Sequence, residues 1–237
     1  MHWDFRQWNH IFKLDPDKDI SDELLDKVCL SGTDAIIVGG SSGVTFDNTV
    51  DLLSRIRRYE VPCALEVSDR EAIVPGFDFF FIPMVLNSRN PEWIIGQHHR
   101  ALREYGAVMD WNQVVTEGYV MLNEQSTAAR ITEADTGLDA KDTEAYARLA
   151  DRLLRCGIFY MEYSGTFGDM ALVARIREVL KDARLFYGGG IDDPDKAYRA
   201  AQAAHTVIVG NAIYEQPELA LATVQAVREA REAGNRE

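Results

Sequence analysis

Short apolar runs alternate with longer stretches of helical periodicity along the whole chain. The runs are Ile11 to Leu14, Ala35 to Val38, Cys63 to Val67, Phe79 to Pro83, Tyr119 to Leu122, Phe159 to Tyr163, Leu185 to Tyr187 and Thr206 to Val209. Most are continuous rather than alternating, as expected of strands covered on both faces. Helical patterns fall between them. Ser21 caps one with Leu24, Leu25 and Val28 on its inner face. A second begins near Asp47 and carries Val50, Leu53 and Ile56. Asn90-Pro91 pairs a cap with proline at the first helical position and leads to Ile94, Ile95, His98 and Leu102. Later patterns place Ala145, Leu149 and Leu153, then Leu172, Val173, Ile176 and Leu180, on inner faces. Asp193-Pro194 and Gln216-Pro217 open the last two helices.

Eight strand–helix units in a chain of 237 residues predict an α/β fold, a (β/α)8 TIM barrel forming a single domain over residues 1–237. One unit is short. Twelve residues separate Glu66 from Phe79, and they include Pro75 and Gly76. The third helix is therefore expected to be replaced by a loop or a single turn. A doubly wound open sheet is the alternative, but its first strand normally leads into a glycine-rich turn. Here the first strand leads into Lys13-Leu14-Asp15-Pro16, and the glycine clusters come late.

Charge narrows the function. Acidic residues outnumber basic ones 38 to 25, a formal charge of −13, which opposes non-specific nucleic-acid binding. Anionic ligands remain possible, because main-chain N–H groups can cradle a phosphate in an acidic protein. Cys29, Cys63 and Cys156 have no metal or redox spacing and read as buried thiols in a reducing cytoplasm. Met1 to Arg6 has no signal-peptide core, and no run is apolar and long enough for a membrane span.

In a barrel, chemistry sits at the C-terminal ends of the strands. Lys13 and Asp15 share a strand face there, suited to a phosphate and a metal, or to a partly solvated ion pair. Gly39-Gly40-Ser41 makes a polar turn, in which Ser41 has a hydroxyl for a metal or phosphate oxygen, or merely closes the turn. Tyr160, Glu162 and Ser164 share a face of the sixth strand, and a Glu within an apolar strand is costly unless paired or coordinating. Glu162 suits a general base, or an acceptor that orients a hydroxyl. Gly188-Gly189-Gly190 and Gly210-Asn211 end strands seven and eight, where barrels recurrently bind phosphate through main-chain N–H groups. His98, His99, Trp93, Trp111 and Phe79 to Phe81 read as structural. Glu133 and Asp135 face either the site or solvent.

Together these strand ends resemble the geranylgeranylglyceryl/heptaprenylglyceryl phosphate synthase family, most closely its bacterial PcrB branch. The resemblance rests on His10 to Pro16, Gly32 to Ala35, Gly39 to Ser41, Tyr160 to Gly165, Phe186 to Gly190 and Val209 to Asn211. It extends through Val61 to Cys63, Ile73 to Asp78 and Thr132 to Asp135. It implies a barrel lacking its third helix and Mg²⁺-dependent transfer of a prenyl group from a prenyl diphosphate to the 3-hydroxyl of sn-glycerol 1-phosphate. Lys13, Tyr160, Met161, Glu162, Tyr163, Ser164, Gly165, Gly190, Gly210 and Asn211 would hold the glycerol phosphate, and Asp15 and Ser41 the Mg²⁺. Geranylgeranyl-using relatives carry a large aromatic where this chain has Ala101, with Tyr105 one turn on. A deeper groove for a heptaprenyl donor follows. The resemblance also implies a homodimer. Competing expectations are a geranylgeranyl donor, a barrel isomerase or synthase acting on a phosphorylated sugar, and a phosphate- or flavin-binding module without turnover.

Overall fold

The computed structural model describes residues 3–234. Eight parallel strands close into a barrel in sequence order. They are β1 (His10–Leu14), β2 (Ala35–Val38), β3 (Cys63–Glu66), β4 (Phe79–Val85), β5 (Val114–Met121), β6 (Ile158–Glu162), β7 (Arg184–Gly188) and β8 (Thr206–Val209). β5 starts five residues before the expected run at Tyr119, because Glu117 and Gly118 interrupt its apolar character. The helices are α1 (Asp22–Leu30), α2 (Phe46–Ile56), α3 (Gly96–Tyr105), α4 (Thr127–Ile131), α5 (Ala140–Arg148), α6 (Met170–Val179), α7 (Pro194–Ala203), α8 (Ala212–Glu215) and α9 (Pro217–Gly234). Between β3 and β4 there is only a turn of 3-10 helix, Arg70–Ala72. The third barrel helix is absent, as the short interval predicts.

Alternation along each strand divides the apolar residues into two cores. Phe12, Leu14, Ile36, Val38, Phe159 and Met161 face outward and pack against the helices. Ile11, Ile37, Ala64, Phe81, Tyr160 and Phe186 face the barrel axis. Phe5 and Trp8, on and just after an N-terminal 3-10 turn, plug the bottom edge-on against Phe79. The interior is thus sealed by aromatic packing at one end, and its chemistry is confined to the other.

Three helices differ from their sequence patterns: in α2 Val50 is exposed, while Thr49 and Leu52 join Leu53 and Ile56 on the buried face. Pro91 opens a 3-10 turn, and α3 starts only at Gly96. No side chain of α3 is fully buried, and Ile95 and Leu102 are exposed. In α5 and the π-helical turn that continues it, the inner face is Thr143, Ala147 and Ala150, while Ala145 and Leu153 are exposed. Small residues win because the helix lies close to β5: a Cβ on Gly118 would come within 2.5 Å of the Ala150 methyl. The charged segment Arg228 to Glu237 is helical as far as Gly234. Residues 235–237 lie outside the described residues, as do Met1 and His2 of the N-terminal reading.

Candidate active site

The C-terminal mouth of the barrel opens into a cavity of about 1310 Å³. Its polar end is built by β1, β2, β3, β6, β7 and β8. Lys13 points inward from β1 and donates to Glu66 Oε1 from β3 at 2.5 Å. Gly39 follows the intervening strand β2, and a Cβ there would crowd the Glu66 Cβ at 3.0 Å. Absence of that side chain leaves room for Lys13 of β1 and Glu66 of β3 to meet across β2. Burial opposes the ammonium charge of Lys13, but Glu66 and Glu162 outweigh it and hold its pKa above the usual lysine value.

Glu162 is the most fully satisfied carboxylate of the site. Oε1 accepts from the Ser164 main-chain N–H and from the Ser164 hydroxyl, both at 2.6 Å. Oε2 accepts from Tyr119 Oη at 2.8 Å. The Tyr119 and Tyr160 rings stack at 4.4 Å, and Lys13 Nζ lies 5.8 Å from the Tyr160 ring centre. Burial, then the charge of Glu162, pushes both phenols well above the usual tyrosine value. They are hydrogen-bonding groups here, and remain protonated. Gly188 leaves room for Tyr160: a Cβ there would fall 2.3 Å from the hydroxyl oxygen.

The loops after β6 and β7 support one another. Tyr163 N donates to Gly188 O, Gly168 N donates to Tyr187 Oη, and Tyr187 Oη donates to Gly189 O. Gly190 has a φ of +60°, and a Cβ on it would sit 2.2 Å from the Phe167 main-chain nitrogen. Only glycine meets both conditions. Gly190, Gly210 and Asn211 line the cavity. The Asn211 carboxamide oxygen accepts from Lys18 Nζ at 3.0 Å.

Asp15 and Ser41 also line this end. The Gly40 main chain abuts the Asp15 carboxylate, which brings the turn holding Ser41 beside it. Asp15 Oδ1 accepts from Asp17 N, and burial raises its pKa. Among the described residues no cluster of three His, Cys, Asp or Glu side chains forms a metal cage. One carboxylate and one hydroxyl suit a cation that keeps most of its water and takes further oxygens from a phosphate, as Mg²⁺ does.

The apolar end lies toward β4, β5 and α3. Phe80, Ile82, Met84, Ala101, Leu102 and Tyr105 line it. The expected groove residues Ala101 and Tyr105 are therefore part of the cavity. Trp111 belongs there too: it is 58% exposed, not core. Phe79 and Phe81 are core as expected, whereas Phe80 faces the cavity. His98 is structural, tying α3 to β4 through Pro83 O at 3.0 Å. Glu133 and Asp135 lie away from the cavity, bonded to Asn90 and Arg89.

The alternation that brings Tyr160, Glu162 and Ser164 into the site turns Met161 and Tyr163 out of it. Their side chains pack in the outer core, so the expectation that they hold substrate is corrected to a main-chain contribution at most. The three residues that the sequence reading missed are Glu66, Glu117 and Tyr119. Glu66 and Glu117 carry the signal that singled out Glu162, a carboxylate at an inward position of a strand.

The family model described as "PcrB family" matches residues 3–228. A heptaprenylglyceryl phosphate synthase of Geobacillus kaustophilus is 56% identical over 226 residues, covering 95% of each chain. One of Bacillus cereus is also 56% identical, over 95% of this chain and 99% of its own. Among solved structures, the (S)-3-O-geranylgeranylglyceryl phosphate synthase of Thermoplasma acidophilum, in complex with sn-glycerol-1-phosphate, superposes with a TM-score of 0.83. Its identity is 24%, over 94% of both chains. The Thermoplasma volcanium GGGPS gives 0.81 at 22% identity, over 94% of this chain and 93% of that one. These likenesses establish the same barrel, and the sequence match goes further: the chain belongs to the PcrB family.

Proposed function

We propose that this chain transfers a prenyl group, heptaprenyl by preference, from its diphosphate to the 3-hydroxyl of sn-glycerol 1-phosphate. The observation that carries this reading is one cavity with two unlike ends. A polar, glycine-bounded end that carries Lys13 suits a small phosphorylated alcohol, and an apolar end suits an isoprenoid. A phosphorylated-sugar isomerase has no use for the second end, and a passive phosphate module has no use for Glu162.

Lys13 and the main chain at Gly190 and Gly210 hold the phosphate. Glu162 lies on the adjacent strand end, where it orients the glycerol hydroxyl and accepts its proton. The hydroxyl oxygen attacks the allylic C1, the C1–O bond to diphosphate breaks, and an ether and diphosphate result. Asp15 and Ser41 would hold Mg²⁺, whose charge would stabilise the departing diphosphate. The stacked Tyr119 and Tyr160 fix Glu162 and exclude water. Ala101, being small, leaves the groove deep enough for a long donor.

The test is incubation with sn-glycerol 1-phosphate, Mg²⁺ and prenyl diphosphates of four to seven units, followed by mass analysis. A prenyl ether, richest with the seven-unit donor and absent after chelation, is the expected result. Product from sn-glycerol 3-phosphate alone would overturn the assignment of substrate. Among the described residues no helix is long and apolar enough to cross a membrane. Assembly as a cytoplasmic homodimer is part of the proposal, and sedimentation of the purified chain checks the dimer.

A further inference from the structure

Three carboxyl groups and one ammonium occupy the upper barrel. Glu66 Oε1 is taken by Lys13, and Glu162 is satisfied by Ser164 and Tyr119. Glu117 on β5 is fully enclosed, 0% exposed, and does not line the cavity. Neither of its oxygens has a hydrogen-bond partner among the described residues. Glu66 Oε2 is buried and unpartnered in the same way. Both side chains point toward the barrel axis, with only β4 between their strands.

An ionised carboxyl at 117 would be a buried charge with no donor and no free counter-charge, since Lys13 is already committed. Retaining a proton costs less than that. Two carboxylates are acceptors only, and a single proton between them turns two unsatisfied groups into one hydrogen bond. Burial and the charge of Glu66 raise the pKa of Glu117 well above the usual carboxylate range; Lys13 acts against this, and Glu162 adds to it.

We propose that Glu117 is a neutral carboxylic acid that donates its proton to Glu66 Oε2 and so fixes the Lys13–Glu66 pair at the floor of the site. Glu66 is then held from both sides, by Lys13 on one oxygen and by Glu117 on the other. Glu117 touches no substrate. It is a positioning residue, acting through Glu66 on the ammonium that meets the phosphate. The kinetic part rests on the proposed function, and the spectroscopic part does not.

Wild-type minus Glu117→Gln infrared difference spectra should show the carbonyl stretch of a protonated carboxylic acid, persisting between about pH 6 and 8. The groups facing Glu117 across that range are Lys13 on β1, Glu66 on β3, Tyr119 on β5, Tyr160 and Glu162 on β6, and the Cys156 thiol before β6. Glu117→Gln supplies an amide donor in place of the acid, and should keep KM for sn-glycerol 1-phosphate within about twofold. Glu117→Leu supplies none and should raise that KM about tenfold, with a smaller change in kcat. Absence of the acid band overturns the proposal. So does a Gln variant as damaged as the Leu variant, or an unchanged KM in Glu117→Leu. If the Leu variant does not fold, the band and the Gln variant decide. If no turnover is found with any donor, the proposed function falls while the band still decides the protonation of Glu117.

Discussion

The two sides of the barrel mouth are built to different standards. From β6 round to β1 the helical cover is complete. Val173 and Ile176 of α6, Ala197, Ala200 and Ala201 of α7, and Val224 and Val227 of α9 are buried against the strands. The loops above are locked by the Tyr187 hydroxyl and by glycines that admit no side chain. From β3 to β5 one helix is missing, and α3 buries no side chain completely. Leu102, Val108 and Trp111 are 44%, 82% and 58% exposed there, and all three line the cavity. Rigidity sits where a small charged ligand must be placed, and slack sits where an apolar tail must be admitted.

The largest effect should come from the rigid side. Glu162→Gln removes the proton acceptor while keeping the shape, and turnover should fall by roughly 10²-fold or more with the fold retained. Near wild-type turnover would remove Glu162 from the chemistry. Stability should divide the two sides as well. Ile176→Ala under β6 and β7 should cost about 2–5 kcal/mol in urea unfolding, whereas Leu102→Ser on α3 should stay within about 0.5 kcal/mol. Equal costs would mean that α3 is as tightly held as α6. Gly190→Ala forces a side chain against the Phe167 main chain at a positive φ. It should cost about 1–3 kcal/mol and weaken glycerol phosphate binding, as calorimetry would read.

A further effect concerns pH. His10 is wedged between the Thr33 and Thr223 hydroxyls, and burial, reinforced by Arg228, lowers its pKa to about 3. A histidine whose folded pKa lies below its unfolded value contributes stability above about pH 6.5 and loses it as pH falls. Stability should therefore drop on acidification from about pH 6.5, by up to roughly 1.4 kcal/mol per pH unit from this group. His10→Gln should flatten the slope by that amount. His205, lowered to about 4 chiefly by burial, keeps part of it.

Much of this was legible in the residues themselves. Continuous apolar runs locate the strands, and the short Glu66–Phe79 interval forecasts the missing helix. Glu162 stands out because a carboxylate in an apolar strand demands a reason. The same logic already applies to Glu66, which lies inside the expected run Cys63 to Val67, and reaches Glu117 only once β5 is correctly bounded. β5 is obscured by Glu117 itself, the residue that breaks its apolar run. The inner face of α5 is also hidden, because close approach to Gly118 selects alanines over the leucines that dominate its pattern. Trp111 reads as core by residue type, and only the absent helix explains why it stands at an open cavity.

The central claim is that the two sides bind different halves of the reaction. Calorimetric titration of two variants with both ligands tests it most directly. Lys13→Ala should lose affinity for sn-glycerol 1-phosphate and retain affinity for heptaprenyl diphosphate. Ala101→Trp should do the reverse, while shifting product toward shorter donors. If each variant weakens both ligands by the same factor, the division of the cavity into a phosphate side and an isoprenoid side is wrong.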